Sequence, residues 1–565
     1  MKRIQYIFIA TIVLSLAISC SSNYLDEKPY SYYNTGHTDD ATVEAEIIGL
    51  HRIFAELWGW SSHQGFLSCW QLGTDVTTAG GTEGVELPFY QYADLNSENA
   101  AVAFLWQECY NFINASNLIL SALGEDNNPA AQGEAKFFRA YAYNMLVTLW
   151  GDVPLLTEPV MTPKLDFTRQ SVKEIDSLIE SDLTYAIQNL PEVDQVANEG
   201  RIDKDIARQL LTEAYLRMGM RDNSYFAKAE QTASDIINSG HYALIQARYG
   251  KFLSNPGDYY NDMFLWGNQR RSQGNTEGIW TFEMEYNRDV AGGTIDNPQF
   301  RRVWAPGYYN IPGMAICDSL GGRGIGRMKL SNFMKYTVWS GLDGDIRNSN
   351  YNIRRYTNYN NSGWSSQIGI DANGMRVDPS DPTAVKVVTV QEGDLMIPSA
   401  GDTLAGNWAP YTTKWGCYDP TDQFGYATVK DWPVMRLGET YLLRAEARFR
   451  QGNNTGAADD INVLRDRAFK DARAASGNSN LGRVSESDIN IDFILDERSR
   501  ELIGEENRRM TLVRTGTLKE RIDKNGSSEP GKTITGFQDF NSLLPIPLTE
   551  IQLNKDAVLE QNPGY

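Results

Sequence analysis

Ala214-Tyr215-Leu216-Arg217-Met218-Gly219 and Ala447-Arg448-Phe449-Arg450-Gln451-Gly452 follow one pattern, A-x-[LF]-R-x-G. Each closes a stretch of helical periodicity, and each precedes an Ala-rich one, Ala227 to Ile237 and Ala457 to Ala468. The small Ala lets two helices approach, and Gly takes the left-handed position that ends the first helix. The two segments therefore predict helical hairpins of tetratricopeptide-like type. The full repeat signature is missing, so the likeness is architectural. Such hairpins bury their apolar faces only against neighbours.

Helical periodicity extends outward from these hairpins. Thr38 or Asp39 caps a helix to about Trp58, with Ile47, Leu50, Ile53, Phe54 and Leu57 on one face. Further helices are expected from Glu98 to Leu123, from Gln132 to a stop at Gly151-Asp152-Val153-Pro154, and from Ser171 to Leu190. In the C-terminal part they are expected over Arg436 to Phe449, Ser487 to Ile503 and Arg508 to Ile522. Between about 250 and 430 the texture changes: Gly, Asn, Asp, Tyr and Trp dominate, and helical stripes vanish. Ile279-Trp280-Thr281-Phe282 and Val385 to Val390 read as short strands. Long ordered loops on a rigid scaffold are where binding sits. The expected fold is mainly α, with helical hairpins and an irregular, loop-rich half containing few short strands.

The chain has 565 residues, 72 acidic and 52 basic, for a net charge of −20. That acidity argues against a nucleic-acid partner. Mean hydropathy is −0.43, and no apolar run reaches the ~18 residues of a membrane span. The N-terminus is nevertheless an export signal: Met1-Lys2-Arg3 is positive, Ile4 to Ile18 is apolar, and small residues precede Cys20. The run ending Leu16-Ala17-Ile18-Ser19-Cys20 resembles a lipobox, with Ala17 where Leu is commoner. Residues 1–19 are then removed and Cys20 is lipidated; ordinary cleavage is the competing reading. The remaining Cys69, Cys109, Cys317 and Cys417 are widely spaced and read as free thiols, with Cys69–Cys109 the one pair considered.

Tempting motifs lose to ordinary readings. Gly526 to Thr533 fits G-x-x-x-x-G-K-[ST], but a polar helix end precedes it and no helix start follows. His37, His51, His63 and His241 show no zinc-ligand spacing, and there is no G-x-S-x-G elbow. Gly321 to Gly326 lacks dinucleotide spacing, and Asp343-Gly344-Asp345 lacks the further oxygen ligands of a calcium loop. No catalytic, metal or cofactor site is expected. Glu497/Arg500 and Arg498/Glu501 at i, i+3, and Glu505/Arg509 at i, i+4, form either exposed pairs or a buried network, in both cases scaffold.

Several blocks, in order along nearly the whole chain, resemble the SusD/RagB family of outer-membrane nutrient-binding lipoproteins. They are Cys20 with Tyr24-Leu25-Asp26-Glu27-Lys28-Pro29, Gly133 to Ala140, Leu149 to Leu155, Asp345-Ile346-Arg347, Asp431 to Leu442, Glu497 to Leu502, and Leu544-Pro545-Ile546-Pro547 through Gln561 to Tyr565. The resemblance implies a SusD-like fold and a non-catalytic, lipid-anchored protein at the surface of the outer membrane. Such a protein captures an oligo- or polysaccharide and passes it to a SusC-like TonB-dependent transporter. A peptide ligand on the same fold is the alternative, and an exported carboxylate-dependent glycosidase the third reading. The expected division is a signal peptide at 1–19, a helical region at 20–240, a loop-rich insertion at 241–435 bearing part of the site, and a helical region at 436–565.

Sugars present C–H groups on the ring face and hydroxyls at the rim, so aromatic faces and polar side chains recognise them together. Candidate platforms are Trp58, Trp60 and Trp70 after the first helix, then Trp266, Trp304, Tyr308, Tyr309 and Trp339 in the insertion. Asp75 and Arg301 or Arg302 are the rim candidates. Each aromatic competes with an ordinary core role.

Overall fold

The computed structural model describes residues 40–59, 66, 69–81, 84–124, 127–196, 198–284, 299–416, 430–526 and 533–565. The signal, Cys20 and Trp60, and most of the 526–533 loop with Lys532, lie outside them. The long helices are α1 (Asp40–Gly59), α2 (Ala100–Leu123), α3 (Pro129–Trp150), α4 (Val172–Asn189), α5 (Lys204–Gly219), α6 (Ser224–Ile237), α7 (Leu437–Arg450), α8 (Asn454–Ala468) and α9 (Ile491–Leu502). Successive helices pack on one another from α2 through α6, α6 packs on α7, and α7 on both α8 and α9. Helix starts follow their caps. Asn99 accepts from Ala101 and Val102 N–H, and Ser171 forms a reciprocal capping box with Glu174.

The two repeated glycines act differently. Gly452 has φ +79°, the left-handed conformation the motif predicts. Gly219 instead ends α5 with the Phe226 ring where a Cβ would stand, 2.3 Å from its nearest atom. Here Gly serves the close approach of α6. The expected helix from Arg508 to Ile522 is two: α10 (Arg508–Arg514) and α11 (Leu518–Asn525), separated at Gly516 with φ +70°.

The described strands are short, and all but the first, which lies between α1 and α2, fall between α6 and α7 among short helices. β1 (Thr77–Ala79) pairs antiparallel with β3 (Met328–Leu330). β2 (Gly278–Phe282) pairs with β6 (Trp432–Arg436), just before α7. β4 (Ser365–Ile370) and β5 (Lys386–Gln391) belong to a three-stranded sheet over a small separate core around Tyr308, Tyr359, Trp408 and Tyr411. The main core is shared by both ends of the chain, from Val43 and Ile47 through α2–α6 to Leu544, Ile546 and Leu559. The C-terminal segment is pinned to the end of α3, where Trp150 Nε1 donates to Pro545 O at 2.8 Å and Leu544 N to Leu149 O at 2.7 Å.

Candidate functional site

The C-terminal charges form a buried network rather than exposed pairs. Glu501 accepts from Arg347 Nη1 at 2.9 Å, Arg436 Nη1 at 2.5 Å and Arg467 Nη2. Glu497 takes Arg347, Arg465 and Arg500 within 2.9 Å. Burial alone would raise the Glu501 carboxyl, but Arg467, Arg436 and Arg347 hold it well below the usual carboxylate range. The i, i+3 reading holds for Glu497–Arg500. Arg498 instead pairs with Glu439 and Glu506, and Arg509 donates to the Cys69 and Leu72 carbonyls. The network ties α8, α9, β6 and the Asp345–Arg347 turn into one rigid unit.

Beside that unit lies a cavity of ≈ 140 Å³ with aromatic walls, in the size range that holds one six-membered ring. Phe54 and Trp58 of α1, Tyr141 of α3, Trp70, Phe300, Trp304, Trp415 and Trp432 of β6 line it. The rings are fixed. Trp58 Nε1 donates to Tyr141 Oη at 2.7 Å and Trp415 Nε1 to Gly504 O at 2.7 Å. Trp58 and Trp70 lie 5.0 Å apart, and Phe300 stacks on Trp415 at 3.9 Å and 12°.

Polar groups sit among these rings. Four buried atoms of lining residues make no hydrogen bond: Trp70 Nε1, Gln71 Oε1, Arg498 Nη1 and Asn507 Nδ2. An unmade buried hydrogen bond costs about 1–3 kcal/mol, so the lining is primed for a polar guest. Glu213 of α5 also lines the cavity; burial, reinforced by Glu439, pushes its carboxyl up to about 8. The described lining contains no histidine or cysteine.

Three of the sequence candidates, Trp58, Trp70 and Trp304, come together in this lining. Others do not. Asp75 is fully buried and bonded to Arg508 and Arg521, so it has no free oxygen at a rim. Tyr308 is fully buried, its hydroxyl donating to Cys317 O at 2.8 Å and accepting from Cys317 N at 2.9 Å. Trp339 is buried with its indole N–H on Met334 O at 2.8 Å. The structure places all three in the core and outside the lining of the cavity. Tyr309 is half-buried against the same small core as Tyr308. Trp266 is half-buried with Lys251 Nζ 4.1 Å from its ring centre. Arg301 is fully buried, its guanidinium packed where a Cβ on Gly322 would stand.

Sequence reading passed over Phe300, Trp415, Trp432 and Glu213. Trp432 stood in a block assigned to the scaffold, and Glu213 lay on a helix with no motif to mark it. The exposed Tyr336 and Tyr356, at 59% and 58%, were also passed over; Arg355 lies 5.8 Å from the Tyr336 ring. Cys69, Cys109 and Cys317 are free thiols, and Cys417 lies outside the described residues.

A family model described as the SusD family matches residues 276–565, and one described as starch-binding associating with outer membrane matches 23–216. SusD-like protein P25 of Formosa agariphila is 24% identical over 588 aligned positions, covering all of both chains. Starch-binding protein SusD of Bacteroides thetaiotaomicron is 26% identical, covering 77% of this chain and 72% of its own. The structure of surface glycan-binding protein A from Bacteroides thetaiotaomicron in complex with laminarihexaose superposes with a TM-score of 0.64 at 17% identity, covering 93% of this chain and 99% of that one.

Proposed function

The chain belongs to the SusD family, and from that premise we propose that it is a non-catalytic glycan-binding lipoprotein of the outer-membrane surface. It captures an oligo- or polysaccharide and hands it to a partner SusC-like TonB-dependent transporter. The observation that carries the reading is the cavity lined by fixed aromatic rings and unpartnered polar atoms. Ring faces stack on the C–H face of a sugar, and Arg498, Asn507, Gln71 and Glu213 meet its hydroxyls. The exposed Tyr336 and Tyr356 offer further faces for a longer chain. The names of two relatives, one starch-binding and one solved with laminarihexaose, support a glucan-type ligand as the first to test.

Glycan and peptide arrays on the mature protein, followed by calorimetry with starch and laminarin oligosaccharides, test the reading. Trp304→Ala should weaken glycan binding by about 1–3 kcal/mol, roughly 5- to 150-fold, with circular dichroism unchanged. Binding to peptides alone would move the ligand class to the alternative. Release of reducing sugar by the purified protein would make it an enzyme. Co-purification of a TonB-dependent transporter from detergent-solubilised membranes tests the delivery step.

A further inference from the structure

Away from the cavity, three side chains from consecutive parts of the helical stack converge. Glu192 lies in the connection after α4, Asp205 in the first turn of α5, and His241 just after α6. One ligand atom from each lies within 4.8 Å of the other two, and His241 Nδ1 stands 3.1 Å from Asp205 Oδ2. The Asp205 side chain is fully buried, while His241 and Glu192 are part-exposed, which leaves an entry path. Beside them is a second, independent feature. The Tyr242 hydroxyl is buried and has no hydrogen bond of good geometry, and the carboxylates of Asp203 and then Asp205 act on it.

We propose that Glu192, Asp205 and His241 form a binding site for a divalent transition-metal ion of the zinc type, with the fourth position left to water. Zn–N and Zn–O bonds of about 2.0–2.2 Å in a tetrahedron place ligand atoms roughly 3.3 Å apart. The His241–Asp205 distance is already near that value, and rotation of the part-exposed Glu192 closes the rest. The ion takes the place of the hydrogen between Nδ1 and Oδ2, so a neutral His241 that binds through Nδ1 carries its proton on Nε2. One nitrogen and few oxygens suit zinc, cobalt or nickel, whereas calcium needs about 6–8 oxygen ligands.

Protein cations tune the site. Arg208 Nη1 holds Asp205 Oδ1 at 2.6 Å and Lys204 Nζ holds Glu192 Oε1 at 3.0 Å. They orient the carboxylates but offset their charge, so a weak, exchangeable site is expected rather than a permanent structural metal. Bound there, the ion cross-links the α4–α5 connection, α5 and the end of α6. It would therefore raise the stability of the hairpin stack.

The full chain, stripped with EDTA, should be titrated with Co2+ while its visible d–d absorption and melting temperature are followed. One equivalent giving a tetrahedral cobalt spectrum, displaced by Zn2+ and accompanied by a higher melting temperature, is expected. Ca2+ should do neither. His241→Ala should abolish the spectrum, and Glu192→Gln, which removes a direct ligand, should weaken binding by at least the about 10- to 100-fold that loss of an outer-shell partner costs. If His241→Ala fails to fold, the loop variant Glu192→Gln decides. Absence of the cobalt band in the wild type, or the same band and affinity in these variants, overturns the assignment.

Discussion

Asp75 and Arg508, 433 positions apart, are joined by two parallel hydrogen bonds of 2.9 and 2.7 Å, and both side chains are fully buried. Arg521 closes the group by donating to Asp75 Oδ2 at 2.8 Å. The turn after α1 is thus tied to α10 and α11 through a single carboxylate. Arg508 and Arg521 outweigh the burial that would raise the Asp75 pKa and hold it below its ordinary value. Asp75→Asn takes the shared carboxylate from two buried guanidinium groups, which keep only Glu506 on Arg508 and Asp492 and Asp496 on Arg521, a loss of up to about 3–5 kcal/mol, the cost of a broken buried pair. Chemical denaturation should show that loss, while glycan affinity of the folded fraction stays within twofold of wild type. A folded Asp75→Asn that no longer binds glycan would restore a ligand role to Asp75.

The paired glycines of the hairpin motif make a second test. A Cβ at Gly219 would stand 2.3 Å from the Phe226 ring, in a packed helix contact. Overpacking of this kind costs about 1–3 kcal/mol. A Cβ at Gly452 meets nothing within 4 Å, but φ is +79°, so Ala there pays backbone strain of about 1 kcal/mol. Gly219→Ala together with Phe226→Leu should recover part of the loss, whereas no side-chain change should rescue Gly452→Ala. Equal rescue at both sites would contradict the distinction.

Much of the scaffold was readable because helices announce themselves by period. The stripes over 98–123 and 171–190 became α2 and α4 within a residue or two, at caps the sequence displays. The break between α10 and α11 falls at Thr515-Gly516-Thr517, where Gly516 takes φ +70°. In the 250–430 region no period exists, so exposure could not be read. Tyr308 and Trp339 looked the same there as Trp304, although their hydroxyl and indole N–H groups are satisfied inside the protein. The cavity assembles rings from α1, α3, the 300–304 helix and β6, and pairings at such sequence distances leave no local trace. The Arg–Glu network was half legible: Glu497–Arg500 follows from helix spacing, but the roles of Arg347 and Arg436 on Glu501 come only from tertiary folding.

The proposed lipid anchor is Cys20, and no described helix is long and apolar enough to cross a membrane. Cys20→Ala should shift the protein from the membrane pellet to the soluble fraction and abolish surface labelling of intact cells. One acyl chain gives only marginal binding, on the order of 10⁴ M⁻¹, and two or more hold firmly. A variant blocked in the final N-acylation should therefore stay bound. Unchanged fractionation of Cys20→Ala would remove the lipid anchor from the proposal.

Glu213 should leave a signature in the pH dependence of stability. Burial and then Glu439 push its carboxyl up to about 8, against an ordinary value of 4.5. Between those values the folded state holds a proton that the unfolded state has released. Stability therefore falls as pH rises through that window and levels off above it. Arg514 and Arg498 face the same carboxyl and limit the shift, while Glu506 adds to it. Glu213→Gln keeps the shape and cannot ionise. Its melting temperature should match wild type near pH 4.5 and exceed it progressively toward pH 8, with the remaining slope carried by the raised Glu439. Parallel curves for the two proteins across that range would show that Glu213 is ionised in the folded protein, and its place in the cavity would then be that of a fixed negative charge.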